Sequence, residues 1–296
     1  MAQLHSYFSL RYHGKTLLAH DTIVIDRTFQ VCTEPFNQLV TISALHQHII
    51  LPGIYALLPG KTKQIYLNLL ETVHTLIPNL DPKYIKMDYE IGLINALKSI
   101  FPDSRISGCL FHLKQVVERK IAMLGLKNLV AINPVAKKYC KALTALAFVE
   151  RNQIHTTFDE LYNSERFPIY LRPLYDFFEK NYIYNSSRSV LFPTEIWNSI
   201  DGYRDGVQKT NNAIEGYHHS LKRSFCYKTY SYVNLVYQIK LNESDSRILL
   251  MRINSGDMPA QKNNIIQKNI LLDEFLESNA NHLYGKTYVF DLLEFL

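Results

Sequence analysis

Between Thr22 and Leu58 three apolar runs follow one another with little interruption: Thr22–Ile25 (T-I-V-I), Leu39–Leu45 and Ile49–Leu58. Short β-branched runs separated by polar residues read as successive strands, and successive strands pair with each other. The spacing therefore predicts a three-stranded antiparallel meander, with His46-Gln47-His48 separating its second and third strands. The period then changes. Across Lys61–Ile77 the residues Ile65, Tyr66, Leu69, Leu70, Val73, Leu76 and Ile77 fall at helical spacing, with Thr62 as N-cap.

Asn79-Leu80-Asp81-Pro82 ends that helix, and Tyr84–Met87 reads as a short strand running into Asp88. A helix over Ile91–Ile100 follows, stopped by Pro102, then a strand over Ile106–Phe111 and a helix starting near His112. The order β-β-β-α-β-α-β-α predicts an α/β fold with a mixed sheet, meander plus parallel strands, flanked by helices. From Leu126 to about Gly206 the chain reads as an inserted, mostly helical subdomain, with a loop-prone aromatic stretch around Phe167–Pro193. Helical character returns at Asn212 and runs on through Tyr232 to Ile253, and beyond Gly256 the pattern is weak. No internal repeat interrupts this order.

Composition narrows the class. The 296 residues are 47% hydrophobic, with only 11 Gly and 11 Pro, which fits a folded chain rather than a disordered one. The net charge of +5 is compatible with a nucleic-acid partner without requiring one. Cys32, Cys109, Cys140 and Cys226 contain no C-x-x-C pair, so free thiols in a reducing compartment are expected rather than a disulfide framework. His5, Arg11 and His13 interrupt any signal-like apolar core, and no stretch approaches the roughly 18 apolar residues that cross a bilayer. Cytosol or nucleus, and no membrane partner, are the expectations.

Three acids stand at element ends. Asp26 closes the first strand, Asp88 closes the fourth, and Glu215 opens a late helix. Neighbouring strands of a mixed sheet can bring two such aspartates together, and an adjacent helix can add a glutamate. Three carboxylates in one cleft suit hard divalent cations such as Mg²⁺. Two ions about 3.5–4 Å apart can activate a water or a 3′-hydroxyl at a phosphodiester. Plainer roles remain open at each position. An aspartate at a strand end is often a solvated turn residue, Asp81 and Glu90 compete with Asp88, and Asn212 to Glu215 has the spacing of a capping box.

The words around these acids carry a resemblance. Asp26-Arg27-Thr28-Phe29, Gln38-Leu39, Pro52-Gly53-Ile54-Tyr55-Ala56-Leu57-Leu58 and Lys61-Thr62 resemble the opening of the Mutator-like (MULE) transposase domain. Asp88-Tyr89-Glu90, Asn95-Ala96, Phe101-Pro102 and Gly108-Cys109-Leu110-Phe111-His112 continue it in the same order. Thr210-Asn211-Asn212-Ala213-Ile214-Glu215-Gly216-Tyr217-His218 is similar to the block carrying that family's third acid.

The resemblance implies an RNase H-like core over residues 15–125 and 207–255, split by a helical insertion at 126–206 and followed by an extension at 256–296. It implies a nuclear DDE transposase in which Asp26, Asp88 and Glu215 are catalytic and bind two Mg²⁺ or Mn²⁺ ions for DNA strand cleavage and strand transfer. Transposon ends and target DNA are the implied partners, with self-association of the chain and no small-molecule substrate. Cys109 and His112 match the family's C-x-x-H element, which could also be half of a zinc site completed by His46, His48, Cys140 or His218-His219. Two departures stand out. Arg27 occupies the place where the family usually has Gly, so its side chain either crowds the metal site or contacts phosphate. The zinc-binding targeting modules common in the family have no counterpart in the cysteine pattern, so the chain looks like a catalytic core without them.

Charge is unevenly distributed. Lys114, Arg119, Lys120, Lys127, Lys137, Lys138 and Lys141 face a single acid, Glu118, over Lys114–Lys141, giving that segment +6. Beside a nuclease-like cleft this suggests a phosphate-binding surface, and otherwise it is a solvated helical face. Lys209, Lys222 and Arg223 flank the Glu215 block as further DNA-binding candidates. Most of the Tyr and Phe side chains, and Trp197, are expected in the core. The alternative to an active enzyme is a transposase-derived protein that keeps the fold and binds DNA or protein without catalysis.

Overall fold

The structure, a computed structural model, describes residues 14–29, 32, 34–183, 190–205, 211–225 and 231–296, without the side chains at 211, 212, 215, 218, 222, 224 and 225. In chain order it runs α1 (Gly14–Leu18), β1 (Thr22–Thr28), β2 (Gln38–His46), β3 (Ile49–Leu58), α2 (Lys63–Leu76), β4 (Tyr84–Met87), α3 (Ile91–Ile100) and β5 (Arg105–Gly108). Helices follow: α4 (Leu110–Met123), α5 (Lys127–Ile132), α6 (Pro134–Ala145), α7 (Ile154–Tyr162), α8 (Arg172–Tyr182), α9 (Thr194–Trp197) and α10 (Ile200–Arg204). The last four are α11 (Asn211–Phe225), α12 (Tyr232–Asn254), α13 (Asn263–Ser278) and α14 (Gly285–Leu292). Two compact units result, Met1–Ile106 with Thr210–Ala260, and Ser107–Lys209 with Gln261–Leu296.

The first unit is built on a five-stranded sheet in the order β3-β2-β1-β4-β5. The expected meander is present: β1 pairs antiparallel with β2, and β2 with β3, while β4 joins β1 in parallel. Nearly every residue of these strands is buried, because helices cover both faces. On one face Leu39, Tyr55 and Leu57 form a cluster with Leu221 of α11 and with Leu235 and Ile239 of α12. On the other, Tyr66 of α2 reaches the sheet. Tyr66, Leu69, Leu70 and Val73 are the buried stripe of α2, and its first turn is capped as expected, Ile65 N–H donating to Thr62 Oγ1 at 3.3 Å.

The register slips once. Ile42 pairs with Ile54 but Ser43 with Pro52, so Gly53 is the extra residue of a bulge in β3. A Cβ at Gly53 would lie 2.7 Å from Leu17 Cγ, so only glycine lets α1 seat there without displacing Leu17.

The elements differ from the sequence expectation in two places. The strand expected over Ile106–Phe111 is Arg105–Gly108, and the helix expected near His112 begins two residues earlier, at Leu110. Cys109 is extended at the N-cap position, without a side-chain capping bond, and the apolar Leu110 and Phe111 are buried in the first turn instead of extending the strand. The stretch expected to be loop-prone contains α8, whose Leu174, Tyr175, Phe178 and Tyr182 bury at helical spacing. Its Pro173 sits in the first turn, where the missing N–H costs nothing. The weakly patterned tail forms α13 and α14, and α14 packs on α6 and α7.

The second unit has a helical core. Phe158, Tyr175, Phe178, Tyr182 and Trp197 are fully buried, and the Trp197 indole N–H donates to Tyr182 O at 3.0 Å. Trp197 is a packing residue, as expected. Among the described residues no helix is long and apolar enough to cross a membrane.

Candidate active site

The parallel pairing of β1 with β4 ends at Ile25 opposite Met87, so Asp26 is the next residue of β1 and Asp88 the first residue past β4. Both are buried, at 2% and 7% exposure. Asp26 belongs to the cross-strand row Asp26, Thr41 and Tyr55, on the face that carries the α11–α12 cluster. There α11 packs on β1 and β3. The backbone of Glu215 lies in α11, and its side chain is outside the described residues. Two residues on, the buried Tyr217 hydroxyl is held well above its ordinary pKa, first by burial and then by the nearby Tyr55 and the charge of Asp26. Burial likewise raises the Tyr55 phenol to about 12.

Strand alternation sends Arg27 to the opposite face. There its guanidinium takes hold of Asp88. Nε donates to both carboxylate oxygens, at 2.9 and 2.7 Å, and Nη2 lies 2.6 Å from Oδ2. Nη1 donates to the Tyr66 hydroxyl at 2.7 Å and to Glu90 Oε2 at 3.0 Å. Gln38 holds Tyr66 in turn, its Nε2 donating to the hydroxyl at 3.0 Å and also to Gly60 O. The Phe29 ring centroid is 5.2 Å from Arg27 Cζ. Burial alone would lower the Arg27 pKa, but the charge and hydrogen bonds of Asp88, with those of Tyr66, outweigh it and raise it. Arg27 stays charged.

This geometry bears directly on the expected metal pair. Carboxylates on neighbouring strands are the right donors for a hard cation, yet both oxygens of Asp88 already face a guanidinium. Among the described residues, Arg27 thus takes the place at Asp88 that an ion would need, and the side chain of Glu215 lies outside them. Among the described residues no group of three or more His, Cys, Asp or Glu side chains is arranged to hold a metal.

The other expected residues fall in the second unit or along α11. Cys109 is buried at the start of α4, and the buried His112 ring meets Phe111 edge-on at 5.2 Å. Cys140 is buried in α6, where burial lifts its thiol to about 12. The basic segment divides by role. Lys120 lies 4.9 Å over Phe177, Lys138 lies 4.3 Å over Phe290, and Arg119 Nε donates to Gln115 O at 3.2 Å. Lys114, Lys137 and Lys141 line one cavity. Lys127 opens α5 in exposed surroundings, and Arg223 is exposed on α11. Lys209 lies outside the described residues, as does the side chain of Lys222.

Sequence spacing did not single out Tyr66, Gln38 or Tyr217. Helical periodicity marks Tyr66 as buried, but its hydroxyl partner comes from a strand 28 positions away. No curated protein matches the chain. Residues 22–116, the segment that holds Asp26, Arg27, Asp88, Cys109 and His112, match the family model of the MULE transposase domain.

Proposed function

We propose that this chain is a transposase-derived protein that binds DNA while Arg27 keeps its acid pair closed to metal. The observation that carries the reading is the engagement of both Asp88 oxygens by Arg27. A buried, permanently charged guanidinium at a carboxylate opposes a second cation there. The match over residues 22–116 supports DNA as the partner. The parallel β1–β4 pair beside a meander, with α11 packed on β1, supports an RNase H-like core at 15–125 and 207–255, the rest being insertion and extension. The nucleus is the compartment such a protein would need.

The test uses the full chain and an Arg27→Gly variant with a labelled DNA duplex and Mn²⁺. The expected result is salt-dependent binding by both proteins and no nicking by the parent chain. Nicking by the parent that Asp88→Asn abolishes would overturn the closed-site reading. Absence of salt-sensitive DNA binding would overturn the DNA reading.

A second reading is strand cleavage and transfer by Asp26, Asp88 and Glu215 with two Mg²⁺ or Mn²⁺ ions. The adjacency of Asp26 on β1 and Asp88 just past the paired β4, next to the helix that bears Glu215, favours it. Nicking gained only in Arg27→Gly would assign the chain a latent form of this chemistry.

A further inference from the structure

The 23-residue helix α12 lies on the sheet through Leu235 and Ile239, both buried in the cluster with Leu39, Tyr55 and Leu57. A helix seated in this way normally turns a polar face to water. Here the outer face is apolar: Tyr237, Leu241, Ile248 and Met251 are 42 to 71% exposed. A helix that is apolar on two opposite sides belongs in an assembly that covers both.

The spacing on the outer face is specific. Tyr237, Leu241, Ser244, Ile248 and Met251 follow at intervals of four, three, four and three residues, the a/d repeat of a coiled coil. Leu241 and Ile248 stand at a, and Tyr237, Ser244 and Met251 at d. The a position before Leu241 is Asn234, which is also exposed. From Tyr237 to Met251 the seam is about 21 Å long at roughly 1.5 Å per residue. Apolar side chains scattered singly over a surface need no partner, but a seam of this period matches another helix.

The flanks of the seam select that helix. Lys240 and Arg247 occupy g positions, Asp245 and Arg252 occupy e positions, and all four are exposed. When two copies of α12 pair in parallel, each g residue faces the e residue five positions further on in the other copy. Lys240 then meets Asp245 of the second copy, and symmetry repeats the pair. Arg247 meets Arg252, whose charge is already matched within its own chain, Nε donating to Asp257 Oδ2 at 2.8 Å. An antiparallel pairing would instead set the Lys240 and Arg247 flank against its own copy. Asn234 favours the parallel arrangement too, because a single asparagine at an a position holds two parallel helices in register.

We propose that α12 is a dimerisation helix, along which two copies of this chain pair in parallel over Tyr237, Leu241, Ile248 and Met251, with Lys240–Asp245 ion pairs on both flanks. The pairing goes beyond the DNA-binding reading and does not depend on it.

The test is sedimentation velocity of the full chain without DNA, from low micromolar to about a hundred micromolar, where mass action favours the dimer. The mass should rise with concentration from 34.4 kDa towards twice that value. Leu241→Glu/Ile248→Glu, at two exposed positions, should keep the chain monomeric throughout with unchanged helical circular dichroism. Lys240→Glu should weaken the dimer several-fold at low salt, and adding Asp245→Lys should restore it. A parent chain that stays monomeric at the highest concentration would overturn the proposal. So would a dimer indifferent to the Leu241/Ile248 double variant, which would place the contact elsewhere. Tighter association of Lys240→Glu would indicate an antiparallel pairing and overturn the parallel one. None of these outcomes alters the nicking and DNA-binding results that test the proposed function.

Discussion

Arg27 and Asp88 stand 61 positions apart in the chain, yet three nitrogen–oxygen contacts of 2.6 to 2.9 Å join their side chains. Both residues are more than nine-tenths buried. In such a place neither charge can be removed singly without leaving the other stranded in a poorly solvated site.

Arg27→Gly should therefore destabilise the first unit by about 3–5 kcal/mol, the usual cost of breaking a buried ion pair from one side. Chemical denaturation of the full chain measures it. The same variant frees both oxygens of Asp88, so millimolar Mg²⁺ or Mn²⁺ should recover part of the lost stability, whereas the parent should show no response. A cation effect of equal size in both proteins would mean that Arg27 does not guard the carboxylate.

Gly92 in α3 supports a second expectation. A Cβ there would come 2.9 Å from Lys61 O and 3.2 Å from Lys63 N, both of them backbone at the entrance to α2. Backbone cannot rotate aside as a side-chain tip can, so Gly92→Ala should cost about 1–3 kcal/mol despite alanine's better helix propensity. A melting temperature at or above that of the parent would show that the α2–α3 contact is looser than this spacing.

At the β2–β3 turn the His46 and His20 rings approach to 2.9 Å between Nδ1 and Nε2, with His48 nearby. Partial burial first, then the charges of His20 and His48, lower the His46 pKa below its ordinary 6.5. The unfolded chain therefore takes up the proton more readily than the folded one. This contribution to stability is complete above pH 6.5 and is lost as the pH falls below it towards the depressed value of the folded state. Denaturation midpoints measured across about pH 5–8 should decline on the acid side, and His46→Gln should flatten that decline.

Much of this fold can be read from spacing alone. Thr22–Leu58 announces a meander because each strand is short, apolar and bounded by polar residues. Thr62 announces the start of α2 because its hydroxyl has a free N–H to cap three residues later. Other residues are not legible in this way. Leu110 and Phe111 continue the apolar run of β5, and only the extended cap at Cys109 shows that they belong to a helix. The Arg27–Asp88 pair is invisible in the sequence for another reason. Alternation sends neighbouring residues to opposite faces, but an acid just past the end of a strand is free to turn to either. Asp26 and Asp88 are legible as neighbours in register, and which of them the arginine takes is decided in three dimensions.

The bulge at Gly53 places Pro52 on β3, the outermost strand on its side of the sheet. A proline offers no N–H to an incoming strand, and the bulge bends the edge away from the straight path that another strand would follow. A sheet this apolar would otherwise present a sticky border to any other extended chain. Gly53, which makes room for Leu17 of α1, and its neighbour Pro52 therefore also guard this edge against pairing with another strand.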